Sequence, residues 1–265
     1  MKMQFFARPD RYIARTGDLN HRIVRVNIPD APGFMRGMRA VFVSDTHVIS
    51  RTTGDDLKKL ADSIKTLAPD ILLLGGDYAD RHADAVRFFD ALKHVTPPYG
   101  IYACVGNNDT EDMDDSAALP GIMKAFGIEL LINESRTVPV NGGKLVIAGV
   151  DEPFEGNPDY AGLYPEKPAE GIYRLLLSHF PSVPGILPDL MLSGHTHGGQ
   201  FNAFGITPYT IGFERIFKNS GVSMAISGLH HIDGAWLFVG KGIGASRIQM
   251  RIGVQPEIYE LQFEC

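Results

Sequence analysis

Apolar residues in the first half of the chain fall into short runs separated by stretches with a helical period. Arg39–Ser44 reads as a buried strand. In Asp55–Leu67, the residues Leu57, Leu60, Ile64 and Leu67 recur at the spacing of one helix face, and Pro69 ends the segment. Ile71–Leu74 predicts a second buried strand and Ala83–His94 a second helix, stopped by Pro97-Pro98. Gly100–Val105 predicts a third strand, and Ser116–Phe126 a third helix with Gly127 behind it. This alternation of strand and helix is the rhythm of a layered α/β fold.

The second half is richer in strands. Lys144–Val150, Tyr173–Ser178, Leu190–Ser193, Val222–Ser227, Ala235–Gly240 and Glu257–Phe263 are the predicted ones. The turn His231-Ile232-Asp233-Gly234 closes a hairpin in this reading. Residues 151–170 and 198–221, rich in Gly, Pro and aromatics, read as loops over one edge of the sheet. No repeat or low-complexity tract interrupts the chain. It divides into an N-terminal arm with one strand (1–38) and one larger domain (39–265).

Composition narrows the possibilities. The 265 residues are enough for a sizeable core, and 44% apolar with 21% charged residues is an ordinary globular balance. A net charge of -6 disfavours extended nucleic-acid contact, so no nucleic-acid partner is expected. The two cysteines, Cys104 in an apolar run and Cys265, do not suggest a disulfide framework. With no membrane-length apolar run and no secretory pattern, cytoplasm is the expected location. Phe5, Phe6, Arg8, Arg11, Tyr12 and Arg15 mix aromatic and basic groups. They leave open a peripheral contact with an anionic membrane face.

Candidate chemistry sits at the strand ends. The first three strands run into Asp45-Thr46-His47, Gly75-Gly76-Asp77 and Gly106-Asn107-Asn108-Asp109. Ser178-His179 and Gly194-His195-Thr196-His197-Gly198-Gly199 follow two later ones. In an open α/β sheet ligands bind beyond the carboxyl ends of the strands, so five separated segments can meet at one place. Asp, His and Asn together offer the oxygen and imidazole donors that suit Mn, Fe, Zn, Co or Ni ions. On an extended backbone, both members of Asp45-x-His47 and of His195-x-His197 would face the same way. Each cluster alone is weak evidence. The five in this order are not readily explained as surface turns.

Asp45-x-His47, Gly76-Asp77, Gly106-Asn107-x-Asp109, His179 and Gly194-His195-x-His197 resemble the calcineurin-like metallophosphoesterases. The resemblance runs from about residue 39 to the C-terminus. Leu192–Gln200, with Gly240-Lys241-Gly242-Ile243-Gly244 and Pro256-Glu257, resembles a bacterial branch. That branch holds phosphodiesterases and enzymes that cleave UDP-2,3-diacylglucosamine. The resemblance implies two packed central β-sheets flanked by helices, an α/β/β/α sandwich. It also implies two divalent metal ions. Asp45, His47, Asp77 and His197 would hold one, and Asp77, Asn107, His179 and His195 the other, with Asp77 bridging. The ions would lower the pKa of a bridging water and clamp the phosphoryl oxygens during in-line attack. The substrate class implied is a small-molecule or lipid-linked phosphoester, with a phosphomonoester as the alternative.

The chain departs from this pattern at one position. The family usually reads Gly-Asn-His-Asp where this sequence has Asn108. Asn108 and Asp109 are the candidate catalytic pair beside the metal ligands. An Asn amide can hydrogen-bond a phosphoryl oxygen but cannot donate a proton to a leaving group. That tilts the expectation toward diesters or anhydrides, which expel stabilised anions. His230 and His231 are candidate substitutes, Asp109 a candidate for fixing Asn108 or capping the next turn, and Arg51 a candidate phosphate contact. Asp80 fits solvent or a helix cap better than the site. Phe201, Phe204, Tyr209, Phe213 and Phe217 are candidates for a pocket lining, although loop packing is their simpler role. The rival readings are an interaction module that kept the fold and lost catalysis, and a nuclease with a local basic groove.

Overall fold

The computed structural model describes residues 13–15, 19–154, 156–182, 185–203, 205–208 and 225–265. Two six-stranded mixed sheets pack against each other and helices flank them. The first sheet has the order β2 (Arg22–Ile28), β14 (Glu257–Phe263), β3 (Arg39–Val43), β4 (Ile71–Leu74), β5 (Ile101–Ala103), β6 (Ile128–Leu130). Strands β3 to β6 are parallel, whereas β14 runs antiparallel to β3 and parallel to β2. The second sheet has the order β11 (Gly228–Ile232), β12 (Ala235–Val239), β10 (Leu190–Ser193), β9 (Ile172–Leu177), β8 (Gly143–Gly149), β7 (Glu134–Val140). Its inner strands β8, β9, β10 and β12 are parallel. A separate pair joins β1 (Ile13–Arg15) to β13 (Met250–Ile252).

The apolar runs are continuous because both faces of the first sheet are buried. On β3 and β4, Val41, Val43, Leu72 and Leu74 point to the helices α1 (Gly54–Thr66), α2 (His82–Leu92) and α3 (Leu119–Ala125). There they meet Leu60, Ile64, Phe88, Phe89 and Met123. The alternate residues Ala40, Phe42, Ile71 and Leu73 point the other way, to Leu145, Ile147, Leu175, Leu190 and Leu192 of the second sheet. Cys104 is buried in this inter-sheet core. The outer face of the second sheet buries Val146, Leu176, Met191 and Leu237 against Leu163 and Tyr164 of the loop that follows β8. Thr53 caps α1 in a reciprocal box with Asp56, which fixes where the helix begins.

Three expectations need correction. Residues 1–38, read as an arm with one strand, hold β1 and β2 in their described part, and β2 belongs to the first sheet. The strand placed at Val222–Ser227 is not formed by its described part. The hairpin strand is β11 instead, pairing with β12 across Asp233-Gly234. Strands β6, β7 and β13 arise where no apolar run announced them. Of the N-terminal aromatic and basic residues, Phe5, Phe6, Arg8, Arg11 and Tyr12 lie outside the described residues. No described helix is long and apolar enough to cross a membrane.

Candidate metal centre

Strands β3, β4, β5, β9 and β10 deliver their C-terminal ends to one edge, where the two sheets meet. Asp45 and His47 follow β3, Asp77 follows β4, Asn107 and Asn108 follow β5, His179 follows β9, and His195 and His197 follow β10. Ligand atoms of Asp45, His47, Asp77 and His197 lie within 4.8 Å of one another, and all four residues are buried. Nε2 of His47 stands 3.2 Å from Nε2 of His197 and 3.3 Å from Oδ2 of Asp77. Nε2 of His197 is 3.5 Å from Oδ1 of Asp45.

The remaining predicted residues adjoin this quartet. His179 donates from Nδ1 to the Gly75 carbonyl at 2.7 Å, which turns its Nε2 toward Oδ2 of Asp77 at 3.3 Å. His195 Nδ1 lies 2.9 Å from Oδ1 of Asn107, and its backbone N–H donates to Oδ1 of Asp45 at 2.9 Å. Asp77 therefore touches both groups. All seven candidate ligands come together.

The backbone achieves this differently from the expectation of extended segments. Asp45, His47, Asp77, His195 and His197 have φ of 51°, 38°, 56°, 68° and 51°. Left-handed conformations at non-glycine residues cost about 1–3 kcal/mol each and persist where the surroundings over-determine them. Here the surroundings do so by close contact. A Cβ added to Gly194 would collide with the Asp45 carboxylate, and one added to Gly106 would collide with that of Asp77. The Gly242-Ile243-Gly244 segment packs behind Asp45, and the N–H of Gly244 donates to its carbonyl at 2.7 Å.

Asp109 proves to be a positioning residue. Its buried carboxylate accepts the backbone N–H groups of Asp77 (2.7 Å), Tyr78 (2.9 Å) and Gly106 (2.8 Å), which ties the β4 and β5 loops together. Among the described residues, these bonds tie it to neither Asn108 nor the turn that follows. Asn108 donates its backbone N–H to Oδ1 of Asp77 at 2.9 Å, and its side-chain Nδ2 lies 3.5 Å from Nδ1 of His47. Asp80, expected at a helix cap or in solvent, has Oδ1 3.7 Å from the same Nδ1. His230 is bonded to the Ser227 carbonyl and His231 packs on Trp236, so both are structural residues of the hairpin. Arg51 sits in an exposed turn. Phe204, Tyr209, Phe213 and Phe217 lie outside the described residues.

One contributor escaped the sequence. Arg251 on β13 is 2% exposed. Its guanidinium donates to the carbonyls of Gly244 (2.6 Å) and Lys241 (2.7 Å) and to Nδ1 of His197 (2.9 Å). With Nδ1 so engaged, Nε2 of His197 is the nitrogen presented to the quartet. No local signal marks Arg251, because His197 is 54 positions away.

Burial and charge shape the proton affinities. Burial works to raise the Asp77 carboxyl, yet His179 and His47 beside it hold it well below the usual carboxylate range. Burial opposes charge on His47 and His179, and contact with Asp77 overrides it, raising them to about 10 and about 9. Burial lowers His195 to about 3, helped by the charge on His179, and burial with the Arg251 charge also lowers His197. Burial and the Asp77 charge push Asp109 up to about 7.

The donor set fits divalent cations. Among the described residues, Oδ2 of Asp45 is buried without a hydrogen-bond partner. Such an orphaned atom is costly unless a cation meets it. Carboxylate, imidazole and amide donors together are the mixture that first-row transition metals accept.

Comparison with known proteins agrees with this chemistry. A sequence profile described as calcineurin-like phosphoesterase matches residues 38–199. The uncharacterized metallophosphoesterase YkuE of Bacillus subtilis (strain 168) is 29% identical over 84% of this chain and 77% of its own length. The phosphodiesterase YaeI of Escherichia coli (strain K12) is 26% identical over 92% of this chain and 90% of its own. The UDP-2,3-diacylglucosamine pyrophosphatase LpxG of Chlamydia trachomatis is 36% identical over 33% of this chain and 28% of its own.

Proposed function

The chain belongs to the calcineurin-like phosphoesterase family, and from that premise we propose that it hydrolyses a phosphodiester or phosphoanhydride bond with the aid of two divalent ions. The observation that carries the metal reading is the buried quartet, in which Oδ2 of Asp45 has no hydrogen-bond partner. Asp45, His47, Asp77 and His197 hold one ion. Asp77, Asn107, His179 and His195 hold the second. Bound ions of this kind supply a nucleophile at neutral pH and offset the charge on the phosphoryl oxygens.

The protein's own groups do the rest. Asp109 fixes the spacing of the β4 and β5 loops, and Arg251 fixes the His197 ring. Asn108 can donate an amide hydrogen bond to a phosphoryl oxygen, but it carries no transferable proton. Protonation of the leaving group is worth roughly 10²–10⁴-fold where the leaving group is basic. A site without that donor favours groups that leave as stabilised anions. The names of YaeI and LpxG, a phosphodiesterase and a pyrophosphatase, point to the same two bond types.

The test is a panel with Mn²⁺. It compares bis-p-nitrophenyl phosphate, p-nitrophenyl phosphate, an alkyl phosphomonoester and UDP-2,3-diacylglucosamine, with elemental analysis of the protein. The expected outcome is a higher kcat/KM on the diester or the anhydride than on either monoester. A preference for alkyl monoesters would overturn the bond assignment. Trace metal with no activity after Mn²⁺ loading would overturn the enzyme reading.

A further inference from the structure

An aromatic side chain stands exposed at the rim of the site. Phe154, in the loop after β8, is 46% exposed. Its ring stacks on His195, with centroids 5.7 Å apart and planes 30° from parallel. It meets the buried Phe180 edge-on, at 5.4 Å and 85°. Phe180 in turn packs on His195 at 4.9 Å. The three rings form one cluster, of which the Phe154 end reaches solvent and the His195 end reaches Asn107 at 2.9 Å.

The described residues on either side of Phe154 are braced by side-chain hydrogen bonds to the backbone. The Glu152 carboxylate, only 1% exposed as a residue, accepts the backbone N–H of Phe154 at 2.8 Å and that of Gly156 at 2.6 Å. Asp151 accepts from Glu152 and Asn157, each at 2.9 Å. Oδ1 of Asn133 accepts from Asp151 at 3.1 Å and Asp159 at 2.9 Å, and its Nδ2 donates to the Asn157 carbonyl at 2.9 Å. The buried Glu152 carboxylate thus ties the backbone at Phe154 to that at Gly156. Exposing much of a phenyl ring forgoes the burial that normally stabilises it. A braced backbone that carries an exposed ring stacked directly on a candidate ligand is a preorganised contact surface.

We propose that Phe154, backed by Phe180 and His195, is a stacking platform for a planar aromatic ring carried by the phosphoester, a reading that rests on the phosphoesterase assignment above. The choice of a flat ring over an acyl chain follows from the geometry. The present rings meet at offset and edge-on angles, and a further ring continues that packing with an attraction beyond area burial. Aliphatic chains suit adaptable surfaces such as those built from Met, and this loop is braced instead.

The experiment measures direct binding of phenylphosphonate and cyclohexylphosphonate, two ligands of similar size, by calorimetry. The proteins are Mn²⁺-loaded wild type, Phe154→Leu and Phe154→Tyr, and turnover of bis-p-nitrophenyl phosphate is recorded in parallel. Wild type is expected to bind the phenyl ligand about three- to tenfold tighter, as one aromatic pair allows. Phe154→Leu loses that preference, and Phe154→Tyr, which keeps a ring, retains it. Equal affinities in wild type, tighter binding of the cyclohexyl ligand, or an undiminished preference in Phe154→Leu each overturn the platform. The same holds if neither phosphonate binds to an enzyme that turns over the diester. If wild type neither binds the phosphonates nor turns over the diester, the phosphoesterase reading has failed and the platform falls with it.

Discussion

The two halves of the site are built differently. The quartet of Asp45, His47, Asp77 and His197 is closed and buried, with donor atoms within 4.8 Å of one another. It is backed by Arg251 on one side and by the glycines of residues 242–244 on the other. The group of Asn107, His179 and His195 is looser. Asn107 and His195 are only part-buried and bond to each other, and His195 opens onto the exposed Phe154. The quartet is enclosed, whereas in the other half His179 is buried and Asn107 and His195 are part-exposed. Oδ2 of Asp77 lies 3.3 Å from Nε2 of His47 in one half and 3.3 Å from Nε2 of His179 in the other.

The largest expected effect comes from removing that shared carboxylate. Asp77→Asn should lower kcat/KM on bis-p-nitrophenyl phosphate by about 10³-fold, the scale of several kcal/mol of charge stabilisation. It should also cut the metal content of both halves by elemental analysis. A loss under tenfold would mean that the halves do not share Asp77. Next comes Arg251→Met, which removes a donor to His197 without touching a substrate. Loss of such an outer partner typically costs 10–100-fold in metal affinity. The carbonyls of Gly244, Lys241 and His197 also lose a buried donor, at about 1–3 kcal/mol each. Competition with a metal-sensitive dye reads the first effect and thermal unfolding the second. If one metal per chain is weakened and the other unchanged, the contrast between the halves is sharpened.

A smaller effect is expected from Asn108→His. Restoring a proton donor should raise kcat/KM for an alkyl phosphomonoester by about tenfold, the low side of general acid assistance. Activated aryl diesters should change by no more than a few-fold. Equal gains on both substrates would show that Asn108 does not select the bond. The smallest effect concerns pH. Metal-free protein holds His47 at about 10 and His179 at about 9, against roughly 6.5 for an unfolded histidine. Because these values are raised, their stabilisation is complete below about pH 6.5 and fades as pH rises through 9–10. Tm with chelator should therefore fall across that window, by roughly 2–4 °C for each kcal/mol lost. Bound metal requires neutral imidazoles, so the gap between loaded and chelated protein should widen with pH. A gap that narrows would contradict the assigned ligands.

Much of this arrangement was legible in the chain. Runs such as Ile71–Leu74 are readable because both sheet faces are buried, and the polar clusters stand out because they follow those runs directly. What was not legible has definite physical reasons. The strand β2, Arg22–Ile28, lies at an edge, where Arg22 and Arg25 pair with Glu257 and Glu260 on β14 instead of facing a core. Its partner is distant, so nothing local marks it. The edge strand β7 contains Pro139, which sequence reading discounts although an edge tolerates it. The convergence of the Asp45 and His47 side chains was expected from extended backbone, whereas left-handed turns produce it. Those turns depend on glycines as remote as Gly242. Tertiary packing sets these features, and no short stretch of residues encodes them.

The position of β14 has a consequence for synthesis. It lies between β2 and β3, and its pairing with β2 joins residues 235 positions apart, as in Arg22 to Glu257. Every candidate ligand leaves the ribosome before the strand that completes the first sheet. Until then β3 lacks one neighbour, and β2 lacks the strand it pairs with. A nascent chain can thus assemble β3 to β6 and still leave Phe42 without the Tyr259 ring that stacks on it. A chain that ends short of residues 257–263 would carry all the candidate ligands and an open first sheet.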